Sequence, residues 1–195
     1  GVLALPMLSN IPELLVLAPT SVEEYLSMLR WSLKQRENPV AILIPSTELC
    51  HATGAVRESF SLPAHYEILQ RGKELAILAP GDMQALGKKT AALLEEKYGL
   101  RPTLVNPGVV SDLDEALLAS LRENHRTVLV LEDALLSGGF GAKVASFYGD
   151  SEMKVLLRGL PKAFYDRYRI STLLKAQGMT PEQLAESVVD AIGKN

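Results

Sequence analysis

Val128-Leu-Val-Leu-Glu-Asp-Ala-Leu-Leu-Ser-Gly-Gly-Phe-Gly-Ala-Lys-Val-Ala-Ser-Phe-Tyr148 decides how the rest of this sequence is read. Val128 to Leu131 is an apolar run of strand length, and Glu132 and Asp133 follow it. Gly138, Gly139, Phe140 and Gly141 come next, and a helical pattern starts after them. A strand, a glycine-rich turn and a helix start are the parts of an α/β crossover. Glycines at such a turn allow sharp bending or close packing that a Cβ would prevent.

Working outward, apolar runs keep alternating with helical patterns. Leu14–Ala18, closed by Pro19, and Val40–Ile44, closed by Pro45, read as buried strands. Between them, Thr20 and Ser21 precede Glu23 and Glu24 by three residues each, the spacing of a capping box. Val22, Leu26, Leu29 and Leu33 then recur at helical spacing and predict one buried stripe, with Trp31 off it. Residues 46–65 lose periodicity and are rich in Ser, Thr, Gly and Pro, which predicts a connector with a domain boundary near Pro63. Residues 1–63 and 64–195 are therefore expected to be separate units.

In the second unit, Tyr66–Gln70 and Leu75–Ala79 read as strands, and Pro80, Gly81 and Asp82 end the latter. A helix to about Tyr98 follows, capped by Gly99. Thr103–Val105 is a short strand, and Asp112 with Glu115 is expected to cap the next helix. Residues 127–131 and Lys154–Leu157 add strands around a helix at about 140–148. Two short helices close the chain, the second starting at Thr180-Pro181 with Gln183 reaching back. The expected fold is α/β, with a mostly parallel sheet flanked by helices and right-handed crossovers.

Composition limits the classes of function. The 195 residues are 47% apolar with a net charge of −3, which describes a globular chain with no electrostatic pull toward nucleic acid or an anionic membrane. No apolar run approaches the roughly 20 residues of a membrane span, and no signal peptide is visible. A single cysteine, Cys50, excludes an internal disulfide and fits a reducing, cytoplasmic setting. The chain begins at Gly1 inside an apolar stretch, and it is expected to be part of something longer.

The residue chemistry alone names no reaction. Gly139-Phe-Gly141-Ala-Lys-Val144 is a partial dinucleotide fingerprint with valine at the third glycine position, so a tight packing turn explains it better. Glu132 and Asp133 stand at a strand end, where catalytic carboxylates are often placed. Adjacent strand residues face opposite ways, which favours one acid accepting backbone amides in the turn and the other in solvent. His51, His65, His125 and Cys50 lack ligand spacing and read as surface or interface residues, so no metal site is expected. Arg167 and Arg169, flanking Tyr168, read as solvated rather than anion-binding.

As a whole, the string resembles the C-terminal part of the 1-deoxy-D-xylulose-5-phosphate synthase family, within the transketolase superfamily. The resemblance runs from Gly1-Val2 through Asn10-Ile11-Pro12, Leu17–Glu24 and Val40–Pro45 to Leu75–Met83. It continues through Val130–Asp133 with Gly138–Gly141, and through Asp166–Tyr168 with Gly178–Gln183. It implies a transketolase C-terminal-like domain preceded by the end of a pyrimidine-binding α/β domain. It also implies a parent enzyme that uses thiamine diphosphate and magnesium to join pyruvate to glyceraldehyde 3-phosphate for isoprenoid and thiamine synthesis. The cofactor machinery would lie upstream, so no cofactor is expected on this chain alone, and no catalytic residue is carried over to it. Its implied role is architectural: it walls the active site and helps a homodimer form through Glu132, Gly138, Gly139, Phe140 and Gly141.

Three positions depart from the family pattern. Ala4 stands where many members have aspartate. Leu43 and Ser46 stand where many have arginines, one of which holds substrate phosphate. Two alternatives stay open: a β-type subunit of a 2-oxoacid dehydrogenase or other transketolase-like protein, and a non-catalytic assembly module.

Overall fold

The computed structural model describes residues 2–45, 50–166 and 168–193. It begins with a short helix, α1 (Ala4–Leu8), which the apolar opening of the sequence did not announce. Strands β1 (Leu15–Leu17) and β2 (Val40–Ile42) pair in parallel across helix α2 (Val22–Lys34), each shorter than its apolar run.

The second sheet contains β3 (Glu67–Gln70), β4 (Glu74–Leu78), β5 (Thr103–Asn106), β6 (His125–Leu135) and β7 (Lys154–Leu160). Its order is β3-β5-β4-β6-β7, and only the β3–β5 pairing is antiparallel. The crossovers run through α3 (Met83–Tyr98), α4 (Glu115–Leu121) and α5 (Phe140–Tyr148), and the chain ends in α6 (Ile170–Ala176) and α7 (Pro181–Ile192). The mostly parallel α/β expectation therefore holds. From β4 the chain moves one way to β5, then crosses back to β6 on the other side of β4. That reversal leaves a crevice at the carboxyl ends of β4 and β6, where open α/β sheets place ligands.

Strand periodicity assigns the two faces of this sheet. Ala76, Leu78, Val128 and Val130 point to one side, where they join Leu15, Val16, Leu17, Met28, Phe140 and Tyr148 in one buried cluster. Leu75, Ile77, Leu129 and Leu131 point to the other, against Leu94 of α3 and Leu184 and Val188 of α7. Side chains at i and i+2 share a face, so one register fills both cores. The first cluster runs across position 63, so the segments on either side of it share a core.

Helix termini follow the local chemistry. Gly99 ends α3 with φ +62°, a left-handed conformation that favours glycine. Thr180 and Gln183 form a complete capping box at α7, with Pro181 at its first position. Ser21 caps α2 by accepting the Glu24 amide, but the Glu24 carboxylate turns elsewhere, so only half of that box forms. Asp114, not Asp112, caps α4 by accepting the Leu117 amide at 2.9 Å; Asp112 accepts from the Ser111 hydroxyl instead.

The stripe expected on α2 is also corrected. Glu24, Ser27 and Met28 are its buried residues, while Leu26 and Leu33 are exposed. Trp31 continues the buried side, edge-on to Phe60 at 5.9 Å. Periodicity located two faces of α2 and could not say which is covered, because polar Glu24 and Ser27 turn inward to find partners.

Candidate functional site

A cleft of about 400 Å³ opens at the carboxyl ends of β1, β2, β4 and β6. Ala4, Leu43 and Ala18 contribute apolar wall from the first segment of the chain, and Val110 and Ile170 from the second. Its polar groups among the described residues include three carboxylates, Asp82, Glu132 and Asp133, and no lysine, arginine or histidine. Tyr168 reaches its rim; Ser46 and Arg167 lie outside the described residues.

β6 continues through both acids to Leu135, four residues past the expected end at 131. Glu132 is only 1% exposed. Its Oε2 accepts the Phe140 amide at 3.0 Å, and so caps α5 from across the turn, since the N-cap residue Gly139 has no side chain to do it. Burial pushes the Glu132 carboxyl up to about 8, against the pull of the Phe140 and Gly141 amides.

The glycines fit around this buried carboxyl. Gly138 takes φ +75° and turns the chain. A Cβ on Gly139 would collide with Glu132 Oε2 and sit 2.7 Å from the Leu135 carbonyl oxygen. One on Gly141 would lie 2.9 Å from Leu157 Cδ2 and 3.0 Å from Glu132 Oε1. Close packing inside the chain thus requires these glycines, and the turn needs no bound nucleotide to explain it. Helix α1 closes over it: Val2 accepts the Leu135 amide at 3.1 Å, and the Lys143 ammonium donates to the Ser9 carbonyl at 2.8 Å.

Asp133 departs from expectation. It is partly buried in the cleft rather than in solvent, and burial raises its carboxyl. Asp82 follows β4 at the same crevice, where burial first and the Asp133 charge second lift it to about 7. The sequence reading took Asp82 only as a strand breaker, although an acid just past a strand's carboxyl end was a usable signal.

Other candidates fall into place singly. His125 is buried, not at the surface: its Nδ1–H donates to the Leu121 carbonyl at 3.0 Å, and Nε2 accepts from the Thr103 hydroxyl at 2.8 Å. Burial lowers its basicity. His51 is exposed and paired with Glu23 at 2.8 Å, and Cys50 and His65 are exposed. Arg169 is exposed.

A second buried polar group was invisible in the sequence. The Glu24 carboxylate accepts from the Thr20 amide and hydroxyl at 2.8 Å, from Arg57 Nη2 at 2.9 Å and from Asn106 Nδ2 at 3.1 Å. Arg57 also donates to the carbonyls of His65 and Pro107. This hub ties α2, the connector and β5 together.

Among the described residues no group of three or more His, Cys, Asp or Glu side chains is arranged to hold a metal ion. The cleft's carboxylates are of the wrong charge for a diphosphate. These residues therefore do not fit thiamine diphosphate and its metal, and no chemical step is assigned to them through that cofactor. No described helix is long and apolar enough to cross a membrane.

Comparison with known proteins agrees with this geometry. Residues 64–184 match the family model of the transketolase C-terminal domain. A 1-deoxy-D-xylulose-5-phosphate synthase of Shouchella clausii is 32% identical over 198 residues, covering 98% of this chain and 31% of that protein. Its counterpart in Synechococcus sp. RCC307 is 34% identical, covering 94% of this chain and 29% of the relative. The chain therefore spans about a third of the length of these relatives. Among solved structures, a split-gene transketolase described as an inactive β4 tetramer superposes with a TM-score of 0.84 at 21% identity, covering 99% of this chain and 62% of that one. A transketolase variant of Pichia stipitis with fructose 6-phosphate gives 0.73 at 18% identity, covering 99% and 27%. At these identities the structures speak for the fold. The carboxylate-capped glycine turn, the strand order and the match over 64–184 lead to one assignment: this chain belongs to the transketolase C-terminal domain family.

Proposed function

We propose that this chain is the C-terminal part of a thiamine-diphosphate-dependent synthase of the 1-deoxy-D-xylulose-5-phosphate type. In it, pyruvate is decarboxylated and its two-carbon unit added to an aldehyde, which the resemblance gives as glyceraldehyde 3-phosphate. The observation that carries the reading is coverage: relatives with that name align with 94–98% of this chain, which makes up only 29–31% of them. The cofactor, its magnesium ion and the groups that act on them belong to the remainder of the protein. When bound, the cofactor supplies the electron sink; protein residues orient, desolvate and bind.

This chain's contribution is architectural. Its cleft walls one side of the active site with Ala4, Leu43 and Asp133. The two-stranded sheet β1–β2 is too small to stand alone in a parallel arrangement, which needs both faces covered. The exposed Leu26 and Leu33 of α2 supply apolar surface beside it for the rest of the protein to cover. The functional form is a cytoplasmic homodimer, without nucleic-acid or membrane partners. Supply of precursors to isoprenoids and thiamine is the role that the resemblance implies for the whole protein.

The test is to compare the whole protein with this chain alone, each given pyruvate, glyceraldehyde 3-phosphate, thiamine diphosphate and magnesium. Product from the whole protein and none from the chain is expected. Comparable product from the chain alone overturns the proposal.

A further inference from the structure

We propose that the cavity between the connector and the start of α3 binds a small neutral polyhydroxy compound of the sugar or polyol class, held by the side-chain amides of Gln84 and Asn106. This site goes beyond the carboligation proposed above and does not depend on it. The cavity, of about 300 Å³, shares no described lining residue with the cleft at the carboxyl ends of β4 and β6. Its inner wall comes from α3 and β5, through Gln84, Ala85 and Asn106. Its outer wall is the segment 51–56, which carries no regular secondary structure and is largely exposed.

Two buried amides with unmet hydrogen bonds mark the site. Gln84 is 3% exposed and Asn106 2%. Neither Oε1 nor Nε2 of Gln84 has a partner among the described residues, and neither has Asn106 Oδ1. The orientation of Asn106 is fixed: its Nδ2 donates to Glu24 Oε1 at 3.1 Å, and a carboxylate only accepts, so Oδ1 is the end left over. An unpaired buried polar atom is destabilising, and native chains keep few of them. Three on two side chains that line one cavity point to a ligand that supplies both donors and acceptors. An anion brings acceptors only; it would leave Gln84 Oε1 and Asn106 Oδ1 unpaired and meet the carboxylates of Glu24 and Glu67, which line the same cavity. A primary ammonium brings donors only and would leave the Gln84 Nε2 unpaired. A hydroxyl group both donates and accepts, so neighbouring hydroxyls on one carbon chain answer all three atoms. A planar amide also carries both, in one fixed plane; hydroxyls rotate, and so suit two amides that stand on separate elements, α3 and β5. Ala52, Ala55, Val56 and Leu69 give the carbon chain apolar contact. The ligand reaches the amides as the outer wall shifts, since that wall, unlike α3 and β5, belongs to no helix or strand.

The experiment uses the whole protein and xylitol, an acyclic polyol with no carbonyl to react. Xylitol is titrated by calorimetry and by ligand-observed NMR, and saturable binding in the millimolar range is expected. Gln84→Met keeps the length of the side chain without its amide, and should weaken that binding by about tenfold, as the loss of a pair of hydrogen bonds does. Ala85→Trp fills the cavity from an exposed position and should weaken it at least as much. The Tm of the ligand-free Gln84→Met protein should equal or exceed the parent's, because an unpaired amide is removed. No saturable binding overturns the inference, as does binding that Gln84→Met leaves unchanged, which would place xylitol elsewhere in the protein. A lower Tm in Gln84→Met also overturns it, by showing that the amide already has a partner. Should Ala85→Trp fail to fold, Gln84→Met decides alone. Inorganic phosphate and ammonium, titrated in the same way, should show no binding that Gln84→Met alters; an effect on either overturns the assignment to a neutral ligand.

Discussion

Replacing Glu132 with glutamine should flatten the protein's stability against pH. The folded carboxyl titrates near 8, raised from 4.5 chiefly by burial. Between those values the unfolded chain releases a proton that the folded chain keeps, so this group makes stability fall as pH rises. One pKa unit corresponds to about 1.4 kcal/mol, so Glu132 costs about 3 kcal/mol at pH 7 and under about 1 kcal/mol at pH 5. Glutamine retains a carbonyl oxygen to accept the Phe140 amide, as Glu132 Oε2 does at 3.0 Å, and it cannot ionise. Urea midpoints measured from pH 4.5 to 8.5 should therefore diverge, with Glu132→Gln gaining on the parent by about 3 kcal/mol between pH 4.5 and 7. Asp82 and Asp133, also raised, tilt both curves the same way and largely drop out of the difference. Parallel curves would show that Glu132 is ionised in the folded state, and would refute the burial argument.

Gly139→Ala should destabilise by about 2 kcal/mol, because its methyl group meets Glu132 and the Leu135 carbonyl; a thermal melt checks this, and an unchanged Tm would contradict the packing. Arg57→Ala should cost about 3 kcal/mol by leaving the buried Glu24 carboxylate without its cation. A double-mutant cycle with Glu24→Gln should recover much of that loss, and strict additivity would argue against the hub. Substituting Leu26 and Leu33 together with serine should leave the Tm of the isolated chain within about 1 kcal/mol equivalent while reducing self-association in light scattering. A large loss of stability would mean that these side chains are buried.

The fold was largely legible because its strongest elements carry their own signals. Val128–Leu131 is apolar on both faces, as a central parallel strand must be, and Gly99 and Thr180-Pro181-Glu-Gln183 mark helix ends through local hydrogen-bond chemistry. Elements fixed by tertiary contact were less legible. The buried face of α2 is set by Glu24 reaching Arg57 and Asn106, 33 and 82 residues away. β6 runs past Leu131 because Leu135 still pairs with Leu160. His125 is buried because Thr103 and Leu121 satisfy both ring nitrogens, a match that spacing along the chain does not reveal. In the cleft, the sequence pointed to Glu132 and its glycines, and the amide-capping role it favoured for one acid is what Glu132 performs. Asp82 was missed because its neighbour in the site comes from another strand, brought beside β4 only by the crossover from β5 to β6.

Supplying pyruvate and an aldehyde, with thiamine diphosphate and magnesium, to this chain by itself and to the whole protein separates a scaffold from a self-sufficient catalyst. Carbon–carbon bond formation by the whole protein, with only background from residues 1–195, is the outcome expected of an architectural domain. Turnover by the 195-residue chain at a rate comparable to the whole protein would show that the reactive groups reside within it after all.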